Sequence, residues 1–205
     1  MSERVAVFVD GSNLYHGFRS YLKSLGLEPD DFNIDYKRFP LALVGLERAL
    51  VDTHFYIGRV DQAQDRESYA RQQRFFSALR GCSRLAVHEG RLVPRKRKHT
   101  CPHCKRCFHK SMRVEKGTDV QLAADLLVGA FYEQYDTAIL VSNDTDFIPI
   151  VKQVQQLRKR VQNAELADRA PSSRLAKTCD TPLILLDQQF LEGCVFRKDG
   201  APLNW

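Results

Sequence analysis

The 205-residue sequence contains no apolar run approaching the ~20 residues that a membrane-spanning helix needs. Its start, Met1-Ser-Glu-Arg, leads straight into a strand-like segment and lacks the basic-then-apolar pattern of a secretory leader. Internal repeats and low-complexity linkers are also missing, so one domain over residues 1–205 is expected. The cysteines lack the wide spacing of a disulfide framework. Three fall within Cys101–Cys107, and Cys82, Cys179 and Cys194 stand singly. A reducing cytoplasm and a metal knuckle fit that spacing better than a secreted fold. Acidic residues are absent from one long stretch, residues 91–113.

Hydrophobic residues make up 43% and charged residues 27%, ordinary values for a globular protein. Lys and Arg number 31 against 25 Asp and Glu, a net charge of +6. That excess suits a polyanionic partner, although its placement carries more information than its size.

Arg4–Asp10 (RVAVFVD) reads as a buried strand ending at a Gly-Ser-Asn turn, and Asn13–Leu25 has helical spacing closed by Gly26. A helix is expected over Asp35–Leu50, a strand over Val51–Val60, a helix over Asp65–Arg80 and a strand over Leu85–Glu89. Residues 91–113 break this alternation and read as an inserted basic loop. It resumes with helix Thr118–Tyr135, strand Thr137–Ser142, helix Asp146–Lys159 and strand Val161–Glu165; a short helical stretch, Ser172–Lys177, precedes strand Pro182–Asp187. Strands alternating with helices imply crossover units: an α/β fold whose mainly parallel central sheet is covered by helices on both faces.

In such a sheet, ligands bind beyond the carboxyl ends of the strands, where strand order reverses. Asp10 ends the first strand, Asp144 and Asp146 follow Thr137–Ser142, and Asp119 opens the helix before that strand. Each acid alone fits a helix cap or turn. Four at the functional edge are hard to assign to capping alone. Clustered carboxylates stay ionised only beside a cation, and hard oxygen donors favour Mg²⁺ or Mn²⁺, which can activate water against a phosphodiester.

Three stretches carry a family resemblance: Phe8-Val-Asp10-Gly-Ser-Asn13-Leu-Tyr15, Glu115-Lys-Gly-Thr-Asp119-Val-Gln-Leu-Ala-Ala-Asp125, and Val141-Ser-Asn-Asp144-Thr-Asp146-Phe-Ile-Pro. Together they resemble the signatures of NYN domains, in the PIN-like nuclease superfamily, and most nearly its LabA-like bacterial branch. The resemblance implies a Rossmann-like PIN fold and Mg²⁺- or Mn²⁺-dependent cleavage, usually of RNA. It implies metal-binding roles for Asp10, Asp119, Asp144 and Asp146, with Asn13 and Ser142 as polar supports. Asn143 and Thr145 stand where this branch often has Gly, and Thr tolerates left-handed backbone poorly. Asp125 lies about 240° round the helix from Asp119 and reads as a solvated or structural acid.

Within the basic stretch, Cys101-Pro-His-Cys104 has knuckle spacing for Zn²⁺. Cys107 and His109 are the nearest further ligands, with His99 and His103 as alternatives; some relatives in the branch carry a Cys-x-x-Cys pair here. The nine basic residues of 91–113 either form a solvated face or grip phosphates, Arg95, Lys96, Arg97, Lys98, Lys105 and Arg106 among them. Lys116, three residues before Asp119, can hold a phosphate of the cut strand.

A metal-dependent endoribonuclease is the leading expectation, with nucleic acid as partner, no membrane association and a homo-oligomer compatible with the sequence. The alternative is a catalytically silent nucleic-acid-binding or adaptor protein with the same fold. A small-molecule phosphatase fits less well, because the first strand ends Asp10-Gly-Ser-Asn13 rather than Asp-x-Asp.

Overall fold

Five consecutive buried residues, Val5 to Val9, make the first strand, β1 (Arg4–Asp10). A strand without an exposed face must be covered on both sides. The computed structural model describes residues 2–60, 62, 65–104, 106–167 and 174–203; for 92–99 and 108–115 it describes the backbone alone. After β1 come α1 (Gly11–Ser24), β2 (Phe32–Ile34), α2 (Phe39–Val44), β3 (Ala49–Arg59), α3 (Arg66–Arg80) and β4 (Leu85–Thr100). β5 (Cys107–Lys116) returns beside β4. Then follow α4 (Thr118–Phe131), β6 (Thr137–Val141), α5 (Ile148–Gln156), β7 (Arg160–Leu166), α6 (Arg174–Thr178), β8 (Asp180–Leu186), α7 (Gln188–Glu192) and β9 (Val195–Arg197).

The main sheet has seven strands in the order β5-β4-β3-β1-β6-β7-β8. Only β5 runs antiparallel; every other pairing in this sheet is parallel. β2 and β9 form a separate antiparallel pair. Alternate residues of β1 serve the two faces. Val5, Val7 and Val9 pack with Leu14, Phe18 and Leu22 of α1, Phe39 of α2, Leu79 of α3 and Leu191 of α7. Ala6 and Phe8 face the other way, towards Leu122 and Leu126 of α4, Val151 and Val154 of α5, and Leu175 of α6.

Two expectations need correction, and one pairing is new. The helix expected over Asp35–Leu50 is only the six residues of α2, and β3 begins at Ala49. Its last carbonyls are taken by a side chain: Arg48 Nε donates to Val44 O at 2.7 Å and Nη2 to Leu43 O at 3.1 Å. The basic loop at 91–113 is instead a β-hairpin, paired from Arg91↔Lys116 to Thr100↔Cys107. The two strands carry no regular apolar alternation in the sequence, so local pattern alone reads as a loop. The pair β2 and β9, far apart in sequence, was not expected at all.

Candidate active site

From β1 the chain moves outward to β3 and β4, and from β6 outward to β7 and β8, so strand order reverses between β1 and β6. Asp10 is the last residue of β1, and the pairing Val9↔Val141 brings Ser142 alongside it. Side chains stitch the two strand ends together. Ser142 Oγ donates to Asp10 Oδ2 at 3.1 Å and accepts from the Asp144 N–H at 3.1 Å. Asp144 Oδ1 accepts from the Asp146 N–H at 2.9 Å and so caps a short 3-10 turn, Thr145–Phe147. On the α1 side, Asp10 Oδ1 accepts from the Asn13 N–H at 3.0 Å, making Asp10 the N-cap of that helix. Asn13 Nδ2 donates to Asn143 Oδ1 at 2.6 Å, and the Asn143 N–H donates back to Asn13 Oδ1 at 3.3 Å.

Gly11 lets α1 begin hard against β3: a Cβ there would stand 2.6 Å from Phe55 Cε1 and 2.7 Å from the Tyr56 carbonyl oxygen. Neither Asn143 nor Thr145 takes a positive φ, so the Asp144–Asp146 turn has no need of glycine.

Asp119 reaches the same edge by another route. β5 ends at Lys116, paired with Arg91, which in turn pairs with Arg59 beyond the end of β1. α4 therefore starts at the carboxyl edge of the sheet, with Asp119 exposed in its first turn, and packs across β1, β3 and β4. Asp10 and Asp144 are half-buried and Asp146 is exposed. Among the described residues, no three acidic, His or Cys side chains converge into a group able to hold a metal ion. Ser142 Oγ links the Asp10 carboxylate to the Asp144 backbone N–H instead.

β4 continues nine residues past Arg91 before its turn, so the hairpin projects roughly 30 Å beyond the edge that bears the acids. Its basic residues thus rise on the side of the sheet where Asp10 lies. Lys116 and Arg106 are exposed. Lys105 lies outside the described residues, as do the side chains of Arg95, Lys96, Arg97, Lys98 and His109. At the tip, the Cys101 thiol accepts hydrogen bonds from the backbone N–H groups of Cys104 and His103 and from the Cys104 side chain, which hold it below the ordinary thiol range. Cys107 Sγ lies 3.6 Å from Thr100 Oγ1.

Several residues around this edge carried no clear sequence signal. Asn163, fully buried in β7, donates to the Leu140 and Ser142 carbonyls at 3.1 and 2.7 Å and fixes the end of β6. A buried polar residue must be partnered, so the polar letters of Val161-Gln-Asn-Ala-Glu-Leu166 were the available clue. Beneath α4, Tyr56 Oη donates to Asp125 Oδ2 at 2.9 Å, and His54 Nδ1 lies 3.2 Å from His88 Nε2. Asp125, expected to be solvated or structural, is structural and half-buried.

The sequence matches the family described as NYN domain over residues 4–186. Among solved structures it is similar to a protein of unknown function, VPA0982 from Vibrio parahaemolyticus RIMD 2210633, with 24% identity and a TM-score of 0.62. That alignment covers 93% of this chain and 96% of the other, and the likeness is one of fold. No curated protein matches the sequence.

Proposed function

The chain belongs to the NYN domain family, whose members are generally nucleases of the PIN-like type; from that premise we propose that it is a metal-dependent endoribonuclease acting at the β1–β6 crevice. The observation that carries the reading is the run of hydrogen bonds Asp10–Ser142–Asp144–Asp146 at the point where strand order reverses.

The donors suit Mg²⁺ or Mn²⁺. All are hard oxygens, and Mg²⁺ is commonly held by one or two carboxylates with water and substrate phosphate completing its shell. Asp10 and Asp144 would hold the ion, with Asp119 and Asp146 completing the acidic edge. When bound, the ion supplies positive charge at the phosphodiester and eases deprotonation of the attacking water. The chain's own groups do the rest. Ser142 donates to Asp10 and fixes the direction its carboxylate faces. Asn13, locked to Asn143, holds the α1 side of the crevice against the β6 side. Asp146, exposed at the rim, accepts the proton of a water aimed at phosphorus. Arg91, Lys116 and the basic hairpin draw in the phosphate backbone, a contact without sequence preference.

At the hairpin tip, Cys101 and Cys104 would grip a structural Zn²⁺, closed by Cys107 and His109. N–H groups aimed at the Cys101 sulfur favour thiolate, the form that binds metal. A cytoplasmic site of action is proposed from the cysteine spacing, which suits a reducing compartment; no helix among the described residues is long and apolar enough to cross a membrane.

The test is incubation of purified protein with labelled single- and double-stranded RNA and DNA in Mn²⁺, Mg²⁺ or EDTA. Internal cleavage of RNA that EDTA stops is expected. Cleavage that persists in EDTA would sink the metal-dependent reading. Salt-sensitive binding without cleavage under any condition would replace it with a silent nucleic-acid-binding protein.

A further inference from the structure

Three successive turns of α4 dock onto the sheet through Thr118, Gln121 and Asp125, positions i, i+3 and i+7 on one helix face. Thr118 lies against Gly90, where any side chain would collide with its Cγ2. One turn on, Gln121 Nε2 is 3.1 Å from His88 Nδ1. Two turns on, Asp125 Oδ2 accepts from Tyr56 Oη at 2.9 Å and stands 3.8 Å from His88 Nδ1. The partners brace one another. Tyr56 and His88 stack at 4.4 Å with rings 14° apart, His88 bonds His54, and His54 stacks on Phe8 at 5.0 Å.

Tyr56 is the hub. It pairs in register with Asp10, its carbonyl oxygen abuts Gly11 at the start of α1, and its hydroxyl reaches α4. Asp119 is about 100° round the helix from Thr118, on the flank away from β4. It shares that flank with Leu126 and Ala130, buried in the cluster that holds Ala6 and Phe8 of β1. Anchoring the Thr118–Gln121–Asp125 seam therefore fixes where Asp119 is presented. An apolar seam would pack α4 as firmly but could slide; a hydrogen bond from the residue beside Asp10 cannot, without leaving a half-buried carboxylate unpartnered.

We infer that Asp125, through Tyr56 and His88, is a positioning residue that holds the first turn of α4, and with it Asp119, in register with Asp10 for metal binding. The inference rests on the nuclease reading above only for what the bound metal does.

The experiment compares Tyr56→Phe and Asp125→Asn with the unmodified protein. Tyr56→Phe keeps the ring stack and removes one hydroxyl, so it guards against a fold lost in Asp125→Asn. In EDTA, amide hydrogen exchange over residues 118–122 is expected to quicken in both variants. The dissociation constant for Mn²⁺, by calorimetry, is expected to rise about 10- to 100-fold, the usual effect of losing an outer-shell partner. At saturating Mn²⁺, RNA cleavage should recover in both variants but not in Asp10→Asn, with KM for RNA unchanged. A purely structural seam would lower the melting temperature and leave Mn²⁺ affinity alone. Folded variants with unchanged exchange and unchanged Mn²⁺ affinity overturn the inference. An unmodified protein that binds Mn²⁺ yet cleaves nothing overturns the nuclease reading only, and one that does neither overturns both.

Discussion

Asp10 and Asp144 each have a capping job and, in the proposed nuclease, a metal-binding one, and the choice of substitution decides which is tested. Both cap helical turns, and Asn caps as well as Asp, so Asp10→Asn and Asp144→Asn keep the local fold while removing negative charge. Cleavage is expected to fall by on the order of a thousandfold or more in either variant, with the circular dichroism spectrum unchanged. Near-normal cleavage in both would dissociate the carboxylates from catalysis. The histidines make a separate prediction about acid. Burial pushes His54 and His88 below the ordinary imidazole value; the proximity of His88 lowers His54 further, while Asp125 pulls both back only in part. A depressed folded-state value means the unfolded chain binds protons first as pH falls. Stability is therefore full above about pH 6.5 and declines below it. Melting temperature is expected to drop between pH 7 and pH 5, and less steeply when His54 and His88 are both replaced by Phe. Equal slopes would assign the acid sensitivity to other groups.

Hairpin β4–β5 and helix α4 are the elements that bring distant charges to one edge. If the arm carries phosphates, Ala at Arg95, Lys96, Arg97 and Lys98 should weaken RNA binding evenly across sequences and flatten its dependence on salt. Filter binding across a salt series measures this, and an unchanged slope leaves the run a solvated face. If the tip holds zinc, protein purified without chelator under reducing conditions should carry about one Zn²⁺ per chain by metal analysis. Cys101→Ser with Cys104→Ser should remove it and loosen the arm, while the sheet survives because, among the described residues, its core contains no hairpin-tip residue. Metal-free protein from such a preparation defeats the site. The hairpin was legible in the sequence only as a basic, cysteine-bearing interruption. Its strands alternate no apolar face, and pairing from Arg91↔Lys116 to Thr100↔Cys107 is a relation between segments that local pattern does not record.

Two cores on opposite faces of one sheet hold the whole molecule, and α4 belongs to only one of them. Leu126 is fully buried beneath α4, so Leu126→Ala should cost about 2–5 kcal/mol in urea unfolding, by lost burial and the cavity left behind. A cost below ~1 kcal/mol would mean that α4 is not packed on the sheet as described. The sequence alone determined the alternation of strands and helices, the ends of β1 and β6, and the acids just beyond them. Strands buried on both faces must be apolar throughout, and the polar residues that end them mark the sheet's edge. It also marked Asn13 and Ser142, which the structure joins to Asp10. Tertiary structure alone decided that Tyr56, His88 and Asp125 meet. They come from two strands and a helix, and only the sheet order and the docking angle of α4 set the distances between them. The same holds for Asn163 beneath Ser142 and for the hairpin that rises beside the acidic crevice: each depends on which strands are neighbours, and the pattern along a single strand is the same whichever neighbour it has.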